Sequence, residues 1–202
     1  MRTERVLNFA EGALRTLFWV LLLLGFDEGG LSLLTLLAAA LHEGGHLLAA
    51  RILRLPVGAP RSVPNGLLLP VGRPMSYREE ILTAAAGPAA NFLSAVGAAL
   101  LAPLVGGTTL PFALVSLLTG LSNLLPADGY DGQKILSALL SEKRGAAAAD
   151  KITECISFAV AALFTFFSLF LILYADAGYF LFGVFFLSLT GMIRRRVKSD
   201  VF

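Results

Sequence analysis

His42 and His46 are the only histidines in this 202-residue chain, and they stand four apart in "LHEGGHLLAA", residues 41 to 50, with Glu43 directly after the first. On an α-helix, positions i and i+4 share one face a turn apart, so both imidazoles can be aimed at a single point. Two imidazoles at one point suit zinc. In the H-E-x-x-H arrangement the glutamate lies beside the metal without ligating it, where its carboxylate can take a proton from water. The surrounding run is apolar, and ionisable groups inside such a run cost on the order of a few kcal/mol each and mark function. Plain helix packing would not explain why the only two imidazoles stand at ligand spacing.

A catalytic zinc takes three protein ligands and keeps a fourth position open for water. No histidine is left, and Cys155 is the only cysteine, which excludes paired-thiol metal sites and an intramolecular disulfide. The third ligand is therefore expected from Asp or Glu. The carboxylates at the edge of another apolar helix, with helix-breaking residues around them, lie in "SNLLPADGYDG", residues 122 to 132, where Asp128 and Asp131 are both contenders. Spacing alone does not choose between them. Pro126 ends or kinks the preceding helix and leaves carbonyls that protein or water must satisfy at membrane depth.

These residues need elements to hold them, and the composition says which kind. Hydrophobic residues make up 56% of the chain and charged residues 15%, the balance of a membrane protein. Six segments approach the roughly 20 apolar residues that cross a bilayer core: about 9–26, 31–50, 80–104, 108–125, 152–174 and 177–193. The N-terminal "MRTERVLNFAEGALRTLFWVLLLLGF" reads as a retained first helix, since no small-x-small cleavage site follows it before "DEGG". All 16 Lys and Arg residues fall at the two ends or in the connections 51–79 and 126–151, whereas "FDEGG", "VGGTT" and "YADAG" carry none. By the positive-inside rule both termini and both long connections face the cytoplasm. The basic residues mark topology and form no patch interleaved with aromatics, so nucleic acid is not an expected partner.

Residues 55–72, "LPVGAPRSVPNGLLLPVG", hold four prolines and a "PNG" turn between short apolar pieces. That composition suits a β-hairpin or an extended re-entrant segment at the membrane face and does not suit a helix. Ser76 stands three residues before Glu79, a capping-box pair that starts the next helix at about Tyr77. The expected fold class is an all-α polytopic membrane protein of about six transmembrane helices, with the short hairpin or re-entrant segment after the second. It forms a single integral membrane domain, 1–202, with a catalytic core at about 31–140 and a C-terminal helical pair at about 152–193. No internal repeat supports an inverted-repeat transporter.

From about residue 31 to 140 the chain resembles the site-2 protease family of intramembrane zinc metalloproteases. Three pieces carry the resemblance: "HEGGH" at 42–46, "GPAAN" at 87–91, and "NLLPADGYDG", which fits N-x-x-P-x-x-x-x-D-G through Asn123, Pro126, Asp131 and Gly132. The resemblance implies that His42, His46 and Asp131 ligate one Zn2+ and that Glu43 is the general base. It also implies that Asn123 helps to position substrate, and it favours Asp131 over Asp128. Gly87 and Asn91 look like close-packing and hydrogen-bonding positions, with Asn91 a further candidate for substrate binding. Two departures stand out. Gly44 and Gly45 occupy the middle of the zinc motif, where relatives usually have a larger residue, and a close approach of the fourth helix is one explanation. Gln133 stands where many relatives have a second glycine. There is no sign of the PDZ or CBS domains of many relatives, and nothing in the sequence names a regulatory membrane partner.

The activity so implied is endoproteolysis of a transmembrane segment in a membrane-bound substrate. The second helix, running inward from about Gly30, would place His42 roughly 18 Å from its outer end at about 1.5 Å per residue. The metal would then lie nearer the cytoplasm, with water entering from that side. A substrate helix must be unwound before hydrolysis, and the 55–72 segment could offer it an edge for strand-like pairing. Localisation in the cell membrane, multi-pass, follows from the same reading. Two alternatives remain open: an inert membrane zinc scaffold, and an ion transporter that uses His42, His46 and Asp131.

Overall fold

The computed structural model describes residues 30–56, 58, 61–63, 66–68, 72–175, 186, 189, 190 and 192. The expected first span, 9–26, and most of the last, 177–193, lie outside the described residues. The chain divides into two compact units, Met1–Leu124 and Leu125–Phe202.

Within the first unit, helix α1 spans Leu31–Ile52 and opens on Gly30, whose φ of 71° is open to glycine at little cost. Arg51 stands in its last turn, where a cation complements the carbonyl end of the helix dipole. Strands β1 (Arg61–Val63) and β2 (Gly66–Leu68) pair antiparallel, with Arg61 opposite Leu68, Ser62 opposite Leu67 and Val63 opposite Gly66. Helix α2, Tyr77–Val105, then begins with a full capping box. The Ser76 hydroxyl accepts from the Glu79 amide at 3.3 Å, and the Glu79 carboxylate accepts from the Ser76 amide at 2.9 Å. Arg73 closes on the same carboxylate through both guanidinium nitrogens, at 3.0 and 2.5 Å, and that hydrogen bonding raises the Arg73 pKa. The helix start anticipated at Tyr77 is therefore built from side chains that satisfy otherwise orphaned amides.

Helix α2 runs through Pro88 and Pro103 to Gly106, and two consecutive glycines of positive φ, Gly106 and Gly107, turn the chain into α3, Thr109–Asn123. At 15 residues α3 is shorter than a bilayer crossing. The segment expected at 108–125 is cut at one end by the glycine pair and at the other by Pro126. Helices α1, α2 and α3 each pack against the other two.

The second unit holds α4, Asp131–Arg144, and α5, Ala146–Ala175, joined by Gly145 at a φ of 81° and packed on each other. Helix α4 occupies what the sequence presents as a cytoplasmic connection, 126–151. Its "DGQKILSALLSEKR" holds an uncharged run of residues 135–141 between charged ends, too short to register as a span, and buries Ala138 and Ser141 on one side. Ser157 of α5 is fully buried and donates to the Pro126 carbonyl at 3.1 Å. One carbonyl in the proline-bearing loop is thereby supplied with a donor.

The interior is made of small residues. Ala38, Gly45 and Ala50 of α1, Ala84, Gly87, Ala95 and Ala98 of α2, and Ala113, Ser116 and Gly120 of α3 are buried. Large apolar side chains point outward instead, Leu93 at 75% exposure and Leu104 at 82% among them. Small residues at helix contacts with leucine facing outward is the arrangement of helices packed in lipid. Three helices, α1, α2 and α5, are long and apolar enough to cross a membrane.

Candidate metal centre

Helix α1 presents His42 and His46 one turn apart, as their spacing requires, and both are buried, at 5% and 8% exposure. Their rings meet edge to face, with an interplanar angle of 86° and Nε2 atoms 3.2 Å apart. The outer nitrogens are each engaged by α2. His46 Nδ1 lies 2.7 Å from the Thr83 carbonyl, which can only accept, so Nδ1 carries the ring proton. His42 Nδ1 lies 3.3 Å from the side-chain nitrogen of Asn91. Histidines that bind metals are oriented in this way, one nitrogen held by an outer partner and the other turned to the ion.

Two glycines let α2 come this close. A Cβ added at Gly87 would collide with Nε2 of His46 and stand 2.7 Å from Nε2 of His42. Only a residue without a side chain leaves room in front of both ligand nitrogens. A Cβ at Gly45 would strike the Ala86 carbonyl and the Ala90 methyl, whereas one at Gly44 would meet nothing within 4 Å. The neighbour that accounts for Gly45 is thus α2, where the fourth apolar segment was expected, and Gly44 faces open space.

Asp131 is the first residue of α4 and is 3% exposed. Its Oδ1 accepts from Lys134 Nζ at 2.8 Å, one helical turn on. Tyr130, immediately before it, is half-buried, and that burial raises the pKa of its phenol. Asp131 is, like His42 and His46, a buried residue of metal-ligating type. The residue types present fit a divalent metal ion: two imidazoles with their outer nitrogens held, a carboxylate, and a glycine that keeps the space before the rings clear.

The remaining predicted residues fall into different settings. Glu43 is half-buried on α1 next to His42. Asn123 closes α3 and donates its side-chain amide to the Thr119 carbonyl at 2.9 Å. Asp128 lines a pocket of about 390 Å³ in the second unit, together with Lys134, Asp150 and Glu154. Asn91 is fully buried against His42, a setting that makes it a partner of the ligand ring. Sequence reasoning passed over Thr83, because a backbone carbonyl leaves no mark in residue type, and Lys134, whose i+3 spacing from Asp131 was the available signal.

No family model matches the sequence, and no curated protein matches it. A solved structure does: the site-2 protease from Methanocaldococcus jannaschii, with a TM-score of 0.67 at 23% identity, covering 91% of this chain and 87% of that one. The two chains share one fold.

Proposed function

We propose that this chain is an intramembrane zinc metalloendopeptidase of the site-2 protease family that hydrolyses a peptide bond within a transmembrane segment. The observation that carries the reading is the histidine pair: two buried Nε2 atoms face each other at 3.2 Å while both Nδ1 atoms are held by α2. The shared fold and the buried ligand group support it.

His42, His46 and Asp131 hold the metal, and Lys134 steadies the Asp131 carboxylate. When bound, zinc supplies Lewis acidity toward the scissile carbonyl and toward water. Glu43 takes the proton of the attacking water and returns it to the departing amine. Asn123, at the end of α3 before Pro126, helps to position the substrate. The peptide groups of a substrate helix are hydrogen-bonded internally, so it is unwound before reaction, and the β1–β2 hairpin offers a strand edge for the unwound stretch. The basic residues of the connections support a topology with both termini and the water entrance on the cytoplasmic side of the cell membrane.

Co-expression with a panel of tagged single-span membrane proteins tests the reading. Wild type yields metal-dependent cleavage products, and Glu43→Gln yields none while accumulating to the same level. Cleavage that survives Glu43→Gln overturns the assignment of the base. Metal flux into liposomes without cleavage of any substrate selects the transporter instead.

A further inference from the structure

Helix α1 ends in a Schellman turn whose key position holds an arginine. After the C-cap at Leu53, the Arg54 amide donates to the Arg51 carbonyl at 3.0 Å and the Leu55 amide to the Ala50 carbonyl at 2.9 Å, the two bonds of the motif. Leu55 and Ala50 are both buried, so the turn also covers apolar surface. The motif needs a left-handed residue directly after the cap. Arg54 fills that place at a φ of 52° and is the one non-glycine of positive φ among the described residues. Glycine is the usual occupant, because a Cβ in this region crowds the following carbonyl. The backbone therefore asks for glycine, and the side chain must account for arginine.

Within the protein that side chain has no partner. Arg54 is exposed, and its guanidinium makes no hydrogen bond or ion pair among the described residues. The same holds for Arg51, in the last turn of α1, and for Arg78, in the first turn of α2. These helix ends are joined where the connection returns, the Gly72 amide donating to the Pro56 carbonyl at 2.8 Å. Of the acids nearby, Glu79 is occupied by Arg73 and the Ser76 amide, and Glu80 is half-buried on α2. The positive charge at this end is thus left for something outside the chain. Ile52 is 71% exposed, so α1 stays apolar on its outer side up to the guanidiniums. Tyr77, exposed at the start of α2, is of the residue type that marks a membrane interface. Cations just beyond an apolar span reach the level of lipid phosphates. The helix end itself attracts no anion, since its dipole is negative there, and the attraction must come from the side chains. We propose that Arg51 and Arg54 dock the headgroup of an anionic phospholipid, with Arg78 adding charge, and that this contact offsets the left-handed backbone at Arg54. The docked lipid fixes the depth of the helix that carries the histidine pair. The inference rests on α1 crossing the membrane and is independent of the metal.

The test is a thermal melt of the full chain in a neutral detergent, titrated with short-chain phosphatidylglycerol, with phosphatidylcholine of the same chain length, or with inorganic phosphate. Phosphatidylglycerol is expected to raise the wild-type Tm to a plateau, as a ligand of the folded state does, and the other two to leave it in place. Without lipid, Arg54→Gly should melt about 2–4 °C above wild type, because the backbone is relieved. It should also need about fivefold more phosphatidylglycerol for the half-maximal rise, the share of one cation at an anionic surface. Arg54→Lys keeps the charge and should respond to the lipid within about twofold of wild type. An unchanged lipid midpoint in Arg54→Gly overturns the proposal. So does an Arg54→Gly chain that melts below wild type without lipid, since the guanidinium would then serve the fold itself. An equal rise with phosphatidylcholine or inorganic phosphate overturns it as well, because no anionic headgroup is then selected.

Discussion

At the proposed metal centre the Thr83 carbonyl fixes a ring proton and the bare α-carbon of Gly87 keeps the imidazole Nε2 atoms uncovered. Gly87→Ala should therefore lower zinc affinity by about 100-fold or more, beyond the range for losing an outer partner, because the methyl would occupy the ion's place. Competition against a chromophoric chelator measures this, and near wild-type affinity would show that the ion binds elsewhere. Asp131 and Asp128 make a second contrast. Asp131→Asn is expected to release zinc under the same competition, and Asp128→Asn to leave affinity within about twofold, since the site needs only three protein ligands. The facing of the histidine pair was legible in sequence because i, i+4 geometry belongs to any helix. The part played by Asn91 was not, because its partner lies 49 residues away and only the packing of α2 on α1 brings them together.

The paired glycines of α1 divide according to the helix packed beside them. Gly45→Ala should destabilise the fold by about 1–3 kcal/mol, the usual cost of overpacking, because the methyl meets the backbone of α2. Gly44→Ala should be neutral or stabilising by up to about 1 kcal/mol, since alanine is the better helix former. Thermal melts in detergent compare the two, and equal effects would contradict the close approach at Gly45. The start of α2 could be read from Ser76 and Glu79 because a capping box is local chemistry. The end of α3 at Asn123 was foreshadowed by Pro126. Helix α4 was not foreseen: Leu136, Leu139 and Leu140 form a short apolar stretch with charges at both ends, and a search for spans passes over a helix that buries only one side.

Among the described residues, mostly small residues lie inside and most leucines and phenylalanines lie outside, as a lipid environment demands. The membrane character and the approximate places of the long helices were legible from composition for that reason. The unwinding step also belongs to this scale. Replacing residues 62–66, "SVPNG", by a flexible linker should reduce cleavage of a membrane substrate while leaving zinc binding intact, and unchanged cleavage would remove the hairpin from the mechanism. The most direct test of a metal held between two imidazoles is elemental analysis of the purified chain beside its His42→Ala/His46→Ala double variant. About one zinc per chain is expected in the wild type and almost none in a folded double variant. A wild type without bound zinc, or a double variant that keeps it, would contradict the assignment of these histidines.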